Sequence, residues 1–205
     1  MTRTFAVPQR RGGVAALPRS GFTLAEILVI LAIIATLAAV LVPTVTNQIT
    51  KGQTARVVND LTSIRTGSEA FVADVHRYPG DIEDLSIAIT VADASITGST
   101  YPTALTTMWD GPYLDRLLTT DGGELSTGHA GQLQDNFLSC DFSTGTCTTT
   151  GTKFLTIVLA EVDLAAFNEI DLVIDGVGQA DSTAGKVRWT AAGDDTLKYL
   201  AIPVN

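Results

Sequence analysis

Along the 205 residues the hydrophobic pattern changes character twice. From Phe22 to Val42 the positions are apolar on every side of a helix, with one acid, Glu26, near the start. These 21 residues would make a helix of about 31 Å, enough to cross a bilayer. Beyond them the apolar residues thin to a stripe: Ala55, Val58, Leu61, Ile64, Ser68, Phe71, Val72 and Val75 recur at steps of three and four. That spacing predicts an amphipathic continuation to about Arg77, with Arg56, Asn59, Asp60 and Glu69 on the outer side. The first half wants lipid or a bundle core, and the second wants a domain to lie on.

Pro43 lacks a backbone donor and should kink or locally melt the helix, and Gly52 weakens it again by about 1 kcal/mol relative to Ala. Two readings of Pro43 stand side by side, a simple bend at the membrane exit and a mechanical joint. Tyr78-Pro79-Gly80-Asp81 carries turn chemistry and ends the helix. A short helix or loop is expected over 81–94, and the stretch 119–152, rich in Gly, Ser, Thr and Asp, reads as a long surface excursion. Lys153–Leu159 reads as a buried strand and Asp163–Ile174 as a short helix. Val187–Thr190 and Leu197–Val204 read as two closing strands turning at Asp194-Asp195. The fold class expected is α+β: a long N-terminal helix packed on a small antiparallel sheet.

Glu26 is the residue that needs explaining. A charge at bilayer depth is costly and usually faces a partner instead of lipid. No Lys or Arg lies between Arg19 and Lys51 to serve as that partner. The run Arg19-Ser20-Gly21-Phe22-Thr23-Leu24-Ala25-Glu26 resembles the cleavage and methylation motif of type IV pilins and type II secretion pseudopilins. The resemblance implies that a prepilin peptidase cuts after Gly21 and methylates the new terminus at Phe22. It also implies that Glu26 neutralises the Phe22 ammonium of a neighbouring subunit during filament assembly, and that Pro43 loosens the helix as it assembles. Tyr78-Pro79 together with Gly111-Pro112-Tyr113-Leu114 is similar to the words that follow the long helix in the major pseudopilin.

The domain plan that results is a leader at 1–21, a transmembrane or filament-core helix at 22–43, and a pilin-like extracytoplasmic domain at 44–205. The leader holds Arg3, Arg10, Arg11 and Arg19 and no acid, a positive-inside segment. Its removal takes the formal charge from −9 to −13. So acidic a chain repels nucleic acid, and no direct nucleic-acid partner is expected. An ordinary secretory signal fits poorly, because the apolar run is too long and Val42-Pro43-Thr44 offers no small-residue cleavage pattern.

Cys140 and Cys147 are the only cysteines and are expected to pair, closing a small loop outside the cytoplasm. Asp171, Asp175 and Asp181 stand in a Gly-containing stretch that could offer oxygens to calcium, which the resembling major pseudopilin binds in its C-terminal region. The spacing is not that of an EF-hand, and a solvated acidic turn explains it as well; no other cofactor is expected. His76 reads as a helix-end residue, and His129 lies in the loose glycine-rich region. Hydrolase, zinc-peptidase and phosphate-loop signatures are absent, so the chain is read as a non-enzyme.

The reading is a structural subunit of a pilus-like filament, most consistent with a type II secretion pseudopilin. It would sit in the bacterial inner membrane before assembly and in a periplasmic or extracellular filament afterwards. Its partners would be further copies and minor subunits, the prepilin peptidase, and an inner-membrane platform with its ATPase. A surface pilin for adhesion, motility or DNA uptake, and a membrane-anchored binding module that does not polymerise, are the alternatives.

Overall fold

The computed structural model describes residues 21–114, 124–126, 132–147, 153–176, 182–191, 193 and 195–204. The expected leader up to residue 20, together with His129, Asp181 and Asp194, lies outside them. Two compact units meet in sequence at Val45 and Thr46.

In the first unit, everything from Leu24 onward is the apolar part of helix α1 (Leu24–Val75, 52 residues). Its most apolar window is fully exposed, and the helix is long and apolar enough to cross a membrane. Thr36 donates its hydroxyl to the Ile33 carbonyl at 2.8 Å, and Thr44 donates to Val40 at 3.2 Å. The few hydroxyls of this segment are thus satisfied within the helix, as a lipid environment requires. Pro43 does not melt the helix: α1 runs through both Pro43 and Gly52. Proline removes one donor and leaves the neighbouring rungs intact, and threonine back-bonding is one of the devices by which apolar helices tolerate it.

In the second unit the buried face of α1 is Thr54, Val57, Leu61, Ile64, Gly67, Ser68, Phe71 and Val75. The expected stripe is right from Leu61 onward except at Val72, which is half-buried. It is displaced at the beginning, where Val57 is buried, Val58 half-buried and Ala55 exposed. The displacement brings a polar residue into the face, because the Thr54 hydroxyl donates to Glu169 at 2.6 Å and can be buried without loss. The helix ends at Val75, where His76 takes a left-handed φ of 59° and its N–H reaches the Val72 carbonyl at 3.0 Å.

A 3-10 turn (Glu83–Leu85) and the short helix α2 (Thr103–Thr106) follow. Six antiparallel strands form one sheet: β1 (Glu124–Ser126), β2 (Gln132–Gln134), β3 (Leu138–Asp141), β4 (Lys153–Ala160), β5 (Val187–Thr190) and β6 (Thr196–Val204). The order is β1-β2-β4-β6-β5, and β3 pairs with β4 beyond the end of β2. Helix α3 (Leu164–Ile174) lies between β4 and β5, with Asp163 capping it by accepting from the Ala166 N–H at 2.7 Å.

The strand at Lys153, helix α3 and the β5–β6 hairpin match the sequence expectation; the excursion does not. Strands β1, β2 and β3 fall inside 119–152, so this stretch builds one edge of the sheet instead of leaving it. Leu155, Ile157 and Leu159 of β4 join Val57, Leu61, Ile64, Phe71 and Val75 of α1 in the main core, together with Phe167 and Ile170 of α3. Full burial of each such side chain stabilises the fold by roughly 1.5–3 kcal/mol.

Candidate assembly site

At the start of α1 the chain makes a reciprocal cap. The Thr23 N–H and hydroxyl both donate to Glu26 Oε2, at 2.9 and 3.0 Å, and the Glu26 N–H donates to Thr23 Oγ1 at 3.2 Å. This is the T-x-x-E arrangement in which a side chain at each end satisfies the other's backbone donor. Its signal was present in the sequence as Thr23-Leu24-Ala25-Glu26, though the sequence reading took Glu26 only as a carboxylate in search of a cation. Both bonds fall on Oε2, so Oε1 is positioned to accept from a further donor. The peptide bond between Gly21 and Phe22 lies just before the cap: a Cβ at Gly21 would meet nothing within 4 Å, and Phe22 is 80% exposed. A cut after Gly21 would leave the Thr23 N–H, and therefore the cap, untouched.

The two sequence words expected to follow the long helix meet each other across the 3-10 turn. Trp109 Nε1 donates to the Asp84 carbonyl at 2.9 Å, and the Tyr113 N–H donates to Leu85 at 2.7 Å. Tyr113 also reaches α1, its hydroxyl donating to Asp74 at 3.0 Å and its ring meeting Phe71 edge-on at 5.6 Å. On the other side, Gly80 donates to Asp84 Oδ2 at 2.8 Å and accepts from Phe137 at 2.9 Å. A Cβ on Gly80 would stand 1.8 Å from the Ala94 carbonyl oxygen, so only glycine fits. Burial, reinforced by the nearby charge of Asp81, pushes the Asp84 carboxyl up to about 7, while its bonds from Gly80 and Tyr101 pull the other way.

The expected disulfide is present between Cys140, buried on β3, and Cys147, exposed. Within its loop Asp141 Oδ1 accepts from the N–H groups of Ser143 and Thr144, at 2.8 and 3.0 Å, and these bonds hold the turn.

Of the three acids considered for calcium, Asp171 and Asp175 stand one turn apart on α3 and its C-cap. Asp175 Oδ2 accepts from the backbone N–H groups of Lys186 and Val187, each at 2.8 Å, which fixes the entry to β5. Asp171 is 3% exposed, and its Oδ1 has no hydrogen-bond partner. Burial first, then the Asp175 charge, pushes the Asp171 carboxyl up to about 6. Among the described residues no three acids, histidines or cysteines gather. Calcium takes six to eight oxygens, so these two carboxylates do not fit it by themselves. A proton held at Asp171 beside Asp175 satisfies the orphaned oxygen equally well.

Comparison with known proteins bears on the first of these features. The family described as Prokaryotic N-terminal methylation motif matches residues 18–42, the stretch that contains Gly21, Phe22 and Glu26. The type II secretion system core protein G of Klebsiella pneumoniae is 30% identical over 117 residues, covering 55% of this chain and 79% of the relative. The chain belongs to this family of pseudopilins. The proteins of the same name from Pectobacterium carotovorum subsp. carotovorum and Aeromonas hydrophila are 30% and 26% identical, over 79% and 87% of their lengths. No solved structure matches. As a pseudopilin, the chain is a structural subunit, and its capped, exposed apolar helix is the part that a filament would cover.

Proposed function

We propose that the protein is a filament subunit of a type II secretion pseudopilus, cut after Gly21 and assembled by pairing each Glu26 carboxylate with the Phe22 ammonium of a neighbour. The observation that carries this reading is the capped carboxylate at the head of a helix whose apolar surface is wholly exposed in the single chain. The cap holds the carboxylate at the N-terminal end of the helix, and the helix supplies the apolar area that assembly buries. Packing of apolar helices provides most of the gain; the charge pair sets register, because an unpaired charge in a dry bundle is costly.

Before assembly the apolar helix spans the inner membrane, with the leader inside and the domain outside. A prepilin peptidase processes it, and a membrane platform with an ATPase drives its entry into a periplasmic filament beside minor subunits. The role is mechanical and not enzymatic. Material sheared from producing cells is the test: processed subunits should be recovered in long polymers. Recovery of the chain solely as membrane-held monomers would contradict it.

Calcium at the end of α3 has its own measurement. Thermal unfolding at pH 5, below the value of about 6 to which the Asp171 carboxyl is raised, should be unchanged by added calcium if the Asp171 oxygen is satisfied by a proton. A calcium-dependent rise that Asp171→Asn abolishes would install a cation there.

A further inference from the structure

The displaced start of the buried stripe leaves a trough on the second unit. It is lined by Lys51, Ala55, Val58 and Thr62 of α1 and by Leu172 and Val173 of α3, and encloses about 640 Å³. Leu172 and Val173 are 52% and 60% exposed. Both threonine hydroxyls in its walls are already engaged, and Asn59 adds a side-chain amide. Thr54 donates to Glu169, and the Thr62 hydroxyl donates to the Val58 carbonyl at 2.8 Å. The charged residues that line it are Lys51 and Glu169.

We infer that this trough receives the apolar half of α1, residues 27–45, from a neighbouring copy in the filament; the inference rests on the filament reading above. The occupant has matching chemistry. Between Glu26 and Lys51 it carries no charge, and it exposes Ile27, Leu31, Ile34, Leu41 and others that the single chain leaves bare. Ala32, Ala35 and Ala39 fall on one side of that helix and let another helix approach closely. Two helices forming a trough offer the groove into which the ridges of a third pack. The α1 wall of the trough also begins directly after this same apolar run in sequence, so one continuous helix carries both the knob and part of the hole.

The experiment uses the full-length chain in producing cells, with Val173 replaced by photoreactive benzoylphenylalanine. After irradiation of sheared filaments, digestion and mass spectrometry should locate adducts within residues 27–45 of a second copy. Adducts only to residues beyond 45, only to lipid, or none at all in well-formed filaments would overturn the trough assignment while leaving the filament reading intact. As a second arm, Leu172→Glu with Val173→Glu should be processed normally and unfold at the wild-type temperature in detergent. Burial of those charges should then reduce the variant in sheared filaments by about tenfold or more. Wild-type incorporation of this variant would overturn the inference. Failure of the unaltered chain to form filaments would instead remove the filament reading itself, and the trough assignment with it.

Discussion

In the proposed function Glu26 would serve two purposes with one carboxylate, the helix cap and the pairing with a neighbour's terminus, and the two can be separated by substitution. Thr23→Val removes the hydroxyl that caps the helix, a change that costs about 1 kcal/mol of helix stability in typical hosts. It keeps the charge. Incorporation into filaments should fall modestly, with processing unchanged, as read from the ratio of processed chain in sheared and cell-bound fractions. Asp84 offers a residue-scale test within the folded domain. Its carboxyl is raised from 3.8 to about 7, so the folded state holds the proton more tightly than the unfolded chain. That contribution is fully present below the unfolded value, near pH 4, and is lost as pH rises to about 7. Thermal unfolding should therefore become easier from pH 5 to pH 7.5. Asp84→Asn, which can still accept from Gly80 and Tyr101, should flatten that dependence relative to wild type.

Among elements, the long helix, β4, α3 and the closing hairpin were legible because each carries a local signal: a stripe, a β-branched run, a cap residue, a turn. Strands β1 to β3 were not. Each is three or four residues long, and Gln132-Leu133-Gln134 has a single apolar position. Their strand character comes from pairing, β2 and β3 with β4 through contacts such as Leu133 opposite Leu159, and β1 with β2, which no local pattern announces. The start of the α1 stripe was misplaced for a related reason. Thr54 is buried because Glu169, distant in sequence, supplies its acceptor. The residues of the proposed processing site and of the cap were all visible as a motif, whereas the joining of Tyr78-Pro79 and Gly111-Pro112-Tyr113-Leu114 through the 3-10 turn required the fold. That junction is tightly packed at Gly80. Gly80→Ala should destabilise the domain by about 1–3 kcal/mol or more, since the added Cβ meets a backbone oxygen that cannot swing away. A denaturant titration checks it, and an unchanged midpoint would contradict the packing described. The disulfide belongs to this scale as well: Cys140→Ser with Cys147→Ser should lower stability by about 2–3 kcal/mol, the chain-entropy value for so short a loop.

At the scale of the whole molecule, an acidic chain has a long helix whose apolar half is exposed and which lipid or other copies would cover. In the proposed function, processing would exchange the first cover for the second by creating an ammonium at Phe22 where the uncut chain has a peptide bond. Glu26→Gln isolates this step. The amide can still accept from Thr23 and keep the cap, but it brings no charge to a neighbour's terminus. The decisive measurement compares wild type and Glu26→Gln by intact mass and by recovery in sheared filaments. The expected result is equal removal of residues 1–21 in both, with the variant all but absent from filaments. Glu26→Gln subunits polymerising at wild-type level would contradict the pairing of carboxylate and ammonium on which the filament reading rests.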